Sequence, residues 1–142
     1  MPDANLEQML PHRAPLDPAS RAVLVTVRRM AMHGLHDAHA ALLMVQHFGL
    51  HFRKALVLLR AVVLDLGRIA SAPVTIAPCC MARMTAQEGA LLAALACAPL
   101  DPASANAHLQ ELTGSAQTDG LLATIRVLAN TLSDAGQPIV LD

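Results

Sequence analysis

The residues of this chain most able to do chemistry are two adjacent thiols, Cys79 and Cys80. Neighbouring cysteines cannot close an ordinary unstrained disulfide. They follow Pro78, stand a few residues before a helix start and have Arg83 close by; positive charge and a helix N-terminus both favour the nucleophilic, metal-binding thiolate. The competing reading is that free cysteine is among the most buried residue types and serves as a small hydrophobe. Cys97, on an Ala-rich helix face, fits that second reading. For Cys79 and Cys80 both stay open.

Histidine supplies the second candidate. Five of the seven histidines fall within residues 33–51, and neutral imidazole binds zinc, copper, nickel and iron. His36 and His39 are i, i+3 apart, and His47 and His51 are i, i+4 apart, spacings that put two ligands on one helical face. Geometry opposes a single site, because His36 and His47 would lie about 16 Å apart along a continuous helix and Gly49 interrupts the second pair. A metal centre drawn from Cys79, Cys80, His36, His39, His47 and His51 therefore needs the chain to fold back on itself; otherwise these are surface and helix-end histidines. No zinc-finger or HExxH spacing, Gly-rich phosphate loop or nucleophile elbow is present. No cofactor is specified, and Glu88 is taken up by a capping role. The chain reads as a non-enzyme more readily than as an enzyme.

The elements that must position these groups are helical. Asp17-Pro18 sets a carboxylate at an N-cap and proline at N1, opening a helix over 18–32 with Val23, Leu24, Val27, Met30 and Ala31 on its stripe and Arg21, Arg28 and Arg29 off it. A second helix runs from near Asp37 to Gly49 and is expected to carry Ala38, Ala41, Leu42, Val45 and Phe48 inward. The repeat of Phe52, Ala55, Leu56, Leu59, Val62, Val63, Leu66, Ile69 and Ala70 predicts a helix of roughly 20 residues and about 30 Å over 50–70. Its other side carries Val57, Ala61 and Leu64 between Arg53, Arg60 and Arg68; a helix apolar on two faces is central in its domain or sits at a subunit interface. Thr85 with Glu88 makes a capping box for a helix to about Ala98. Asp101-Pro102 opens another that ends at Gly114, and a last one runs from Thr118 or Asp119 to Gly136. The expectation is an all-α fold, an irregular bundle of about six helices forming one domain over 17–142. An arm over 1–16, extended across the domain or frayed, precedes it. The β-like segments 74–76 and 139–141 could pair as two short strands.

Composition narrows the partners. A chain of 142 residues that is 54% hydrophobic and 15% charged has the length and apolar content for one real core. Two Phe and no Trp or Tyr leave no platform for base stacking, a net charge of -1 exerts no pull on phosphates, and the helix at 102–113 has Glu111 but no Arg or Lys. Nucleic acid is disfavoured, since Arg28-Arg29 and Arg53-Lys54, the one candidate basic patch, are residues that usually solvate the outside of a bundle. Residues 1–71 hold eight Arg/Lys against five Asp/Glu, and residues 72–142 hold two against six, an asymmetry best used between the two halves of one globule. Arg60, Asp65 and Arg68 interrupt the most apolar long stretch, so no membrane span is expected. Three cysteines and a start without a basic, apolar leader point to a reducing cytoplasm.

The segment Ala77-Pro78-Cys79-Cys80, followed by Arg83-Met84-Thr85 and Glu88, resembles one found in small bacterial helical proteins known only as a domain of unknown function. The resemblance implies a bacterial source, in keeping with nine Arg to one Lys, and brings no activity or ligand. Three functional readings follow. The leading one is a non-enzymatic helical protein that forms a homodimer or binds another protein through Val57, Ala61 and Leu64, which requires an unbroken rod over 50–70 with apolar neighbours beside Val57 and Leu64; its rival has that seam internal to one subunit. The second is a thiol- or metal-dependent sensor or enzyme centred on Cys79, Cys80 and the histidines. The third is a nucleic-acid-linked regulator.

Overall fold

A helix begins where a side chain can satisfy its orphan N–H groups, and this chain marks its starts in that way. In the computed structural model, which describes residues 10–141, Asp17 accepts from the Ser20 N–H at 3.0 Å and opens α1 (Pro18–His33). Asp37 accepts from the Ala40 N–H at 2.9 Å and opens α2 (Ala38–Phe48). A single 3-10 turn, Gly49–His51, leads into α3 (Phe52–Ile69), an unbroken helix. The reciprocal capping box of Thr85 and Glu88 opens α4 (Ala86–Cys97), and Asp101 with Pro102 opens α5 (Pro102–Thr113). The last helix, α6 (Asp119–Asp134), has no side-chain cap; the Thr118 hydroxyl donates to Asn106 Oδ1 at 2.6 Å instead.

The result is the expected all-α bundle, with six α-helices among the described residues. Its principal pairings are α1 with α2, α3 with α6 and α4 with α5. The stripes named by periodicity on α1, α3, α4 and α6 meet in one core that includes Val23, Leu59, Leu95 and Ile125. On α2 the buried face differs from the expected one: Leu42 and Val45 are exposed, and Ala40 and Met44 turn inward with Phe48 instead. Gly114 ends α5 at φ 68, and a side chain there would run into the Ser71 hydroxyl, which itself donates to the Thr113 carbonyl at 3.2 Å. No helix among the described residues is long and apolar enough to cross a membrane.

Two expectations need correction. A short antiparallel pairing exists, but it joins β1 (His12–Arg13) to β2 (Arg83–Met84), not 74–76 to 139–141. Each of the expected segments is held elsewhere. The Thr75 carbonyl accepts from Thr85 Oγ1 at 2.7 Å, and the Val140 N–H donates to Ser20 Oγ at 2.8 Å while Ile139 drops into the core. The described part of the arm lies across the domain, with Leu10, Ala14 and Pro15 buried; the part before Leu10 lies outside the described residues.

The second correction concerns Arg28. It lies off the aliphatic stripe of α1, where a solvated side chain was expected, yet it is 2% exposed. It forms a bidentate ion pair with Glu88, itself 1% exposed, with Nε to Oε2 at 2.7 Å and Nη2 to Oε1 at 3.1 Å. Its remaining donors reach the carbonyls of Met81 and Arg83, each at 2.8 Å, and of Cys79 at 3.5 Å. Glu88 also accepts from the Thr85 N–H at 2.9 Å and the Ala77 N–H at 3.4 Å. Among the described residues no buried side-chain polar atom lacks a partner. A buried charge survives only when it is paired and hydrogen-bonded in this way, and removing one partner strands the other. Replacing Arg28 with Met is therefore expected to lower stability by about 3–5 kcal/mol, measured by urea unfolding; a loss below about 1 kcal/mol would show that the pair does not hold the fold.

Candidate functional site

The segment between α3 and α4 has almost no regular structure, so its backbone must be held by side chains. Arg28 holds it from beneath, through the carbonyls at 79, 81 and 83. From the other side Arg83 Nε donates to the Leu10 carbonyl at 2.8 Å, tying the segment to the arm. Within this frame Pro78 to Met81 form a tight turn, closed by the Met81 N–H to the Pro78 carbonyl at 3.2 Å. The turn presents both thiols. Cys79 is half-buried, Cys80 is exposed, and their sulfurs are 3.2 Å apart.

Arg29, the next residue of α1, forms a bidentate pair with Asp37, Nε to Oδ2 at 2.9 Å and Nη2 to Oδ1 at 3.2 Å. The same carboxylate caps α2. The hydrogen bond from Arg29 is the main reason the Asp37 carboxyl titrates at about 2; the Ala40 N–H, the Arg29 charge and His33 act the same way against the desolvation. Reciprocally the Arg29 pKa is raised, first by Asp37 and to a lesser extent by the charge and hydrogen bond of Cys79. The two thiols are joined by a sulfur–sulfur hydrogen bond. The Cys80 pKa is pushed up chiefly by its hydrogen bond to Cys79, then by the Cys79 charge and by burial, with Arg29 and Arg28 opposing. Arg29, Asp37 and the start of α2 thus form one connected polar group, and Arg29 lies close enough to Cys79 to feel its charge.

The other candidates do not converge on it. His36, His39 and His51 are exposed and His47 is half-buried along α2 and the turn that follows, and among the described residues no three His, Cys, Asp or Glu are grouped to hold a metal ion. The fold-back that a joint site required does not occur, because Ala38–Phe48 is one continuous helix with the two histidine pairs at its opposite ends. Cys97 is packed against the core, and its pKa is raised mainly by desolvation. On α3, Val57 is 61% and Leu64 47% exposed while Ala61 is half-buried, so the seam is not internal to one subunit, and the apolar neighbours that the leading reading required beside Val57 and Leu64 are absent among the described residues of one copy of the chain. Arg28 is withdrawn from the proposed basic patch by its burial. A cleft of about 630 Å³ runs between β1, α4 and α5 and includes His12, His108 and Glu111; Gly89 is part of its lining, and a Cβ added there would stand 2.8 Å from the His12 ring. Neither Cys79 nor Cys80 lines this cleft or the next two.

Sequence reasoning missed Arg28, Arg29 and Asp37 as a supporting set. The available sign was the i, i+4 row Ser20, Leu24 and Arg28, all buried on α1, together with an arginine excess in the half of the chain opposite Glu88. Fold and site together define a small all-α protein that displays a dithiol on a braced loop. The chain belongs to a family of unknown function, DUF6628, whose model matches residues 5–136. No curated protein and no solved structure matches it.

The depressed Asp37 carboxyl has a consequence for acid stability. A carboxyl whose folded pKa lies below its unfolded value of 3.8 contributes stability that is fully present above that value and is lost as pH falls through about 2. Asparagine can still cap α2 but cannot titrate. The wild-type chain should therefore lose more stability than Asp37→Asn on acidification through this window, in urea unfolding series at successive pH values. Equal slopes would mean the Arg29 pair does not act in the folded state.

Proposed function

We propose that this chain is a non-enzymatic, thiol-based sensor whose working site is Cys79 and Cys80. The single observation that carries the reading is the 3.2 Å approach of two accessible sulfurs on a turn whose backbone is held by a fully buried ion pair. A structural cysteine needs neither access nor a braced turn, and Cys97 illustrates the ordinary case. The same bracing supplies a readout. Any chemistry that moves the turn pulls on carbonyls bonded to Arg28, and any change of charge at Cys79 is felt by Arg29, whose partner caps α2.

Alkylation followed by mass spectrometry at neutral pH tests this. Cys79 or Cys80 should react at least about tenfold faster than Cys97, and modification there should shift the unfolding midpoint. A chain in which Cys97 reacts first, or whose unfolding is indifferent to modification of the turn, overturns the reading.

A second reading, self-association through α3, is favoured by a separate observation. Leu50, Val57 and Leu64 recur at intervals of seven residues and are 100%, 61% and 47% exposed. Light scattering at high micromolar concentration should give a dimer that Val57→Glu dissociates; a monomer at that concentration removes the reading.

A further inference from the structure

Adjacent cysteines face a geometric choice. Their Cα atoms are about 3.8 Å apart across a trans peptide, short of the roughly 4.4–6.8 Å that disulfides ordinarily span, so direct S–S closure is strained. A third atom set between the sulfurs relieves that strain, and the sulfur span it needs differs from one kind of atom to another. With metal–sulfur bonds of about 2.3 Å, a tetrahedral zinc would hold two sulfurs about 3.8 Å apart and a linear ion about 4.6 Å, whereas a pyramidal centre with angles near 90° would hold them about 3.3 Å apart. The observed separation is 3.2 Å.

Ligand number points the same way. No third or fourth protein ligand is grouped with the two thiols among the described residues, while structural zinc takes four protein ligands and catalytic zinc three. A pyramidal, three-coordinate centre needs only these two sulfurs and one oxygen. Thiolate is also the soft donor that such an ion prefers.

Building on the thiol-sensor reading above, we propose that Cys79 and Cys80 chelate a trivalent metalloid hydroxide, arsenous acid or its antimony analogue. The step is a condensation without redox change. Two S–H and two As–O bonds break, two As–S bonds form, two waters leave, and one hydroxyl stays on the arsenic.

The test is titration of the full chain carrying Cys97→Ser with sodium arsenite and, separately, antimonyl tartrate, followed by near-ultraviolet absorbance and intact mass. One metalloid per chain is expected, with affinity falling about 10²–10⁴-fold in Cys79→Ser or Cys80→Ser, because the second thiol adds intramolecularly. Uptake of only one of the two elements supports the proposal and names the ion. Binding that survives either single variant, a requirement for Cys97 in the unsubstituted chain, or tighter binding of zinc than of arsenite overturns it. Rapid alkylation of the turn without metalloid uptake overturns this inference alone and leaves the thiol-sensor reading standing, whereas slow alkylation removes the sensor reading as well. The unfolding midpoint of each serine variant confirms that the fold is retained.

Discussion

The buried pair of Arg28 and Glu88 is the constraint on which the middle of this structure depends. Withdrawing both charges from water costs several kcal/mol per ion, and the fold meets that cost by using every donor of the guanidinium and four acceptor directions of the carboxylate. Such pairs contribute less to net stability than well-packed aliphatic side chains would, so the physical effect of this one is placement. It joins α1 to the start of α4 and, in passing, fixes the carbonyls of a segment that has no helix or sheet of its own. It also joins the basic half of the chain to the acidic half, which is where the charge asymmetry is used.

Placement of the segment explains the character of its thiols. A loop held only by its own turns would let two neighbouring side chains diverge into solvent. Here the backbone from Ala77 to Thr85 is tied at several carbonyls and two N–H groups, with β1 against its far end, so the sulfurs of Cys79 and Cys80 stand out from a fixed base. Arg29 and Arg28 are sequence neighbours on α1 but face about 100° apart around the helix. One turns inward to brace the loop and the other outward to meet Asp37.

Much of the architecture was legible beforehand because it rests on local physics. Asp17, Asp37, Thr85 with Glu88, and Asp101 announce helix starts through hydrogen bonds that span three residues, and Gly114 announces an end through its left-handed backbone. The aliphatic periodicity of α3 required burial of Leu59, Val62 and Leu66, and they are buried. The partners of segments 74–76 and 139–141 were not legible, because β propensity does not say which backbone is near enough to pair. The fate of Arg28 was hidden for a related reason: an arginine beside an apolar stripe is normally solvated, and only the carboxylate sixty residues away makes its burial tolerable.

The sequence alone thus determined the helices, most of their caps, the buried stripes of the longer amphipathic helices and the presence of an unusual pair of thiols, since each depends on residues within about one or two helical turns of one another. The α2 helix, apolar nearly all round, gave no such stripe, and Met44 rather than Leu42 or Val45 turned inward. Tertiary structure alone decided that the thiols stand together at the surface, that the histidines form no joint site with them, and that Val57 and Leu64 lie open. Those outcomes depend on which helix faces meet across the core, and a hydrogen bond between residues distant in sequence exists only after the chain has folded to bring them within 3 Å or so.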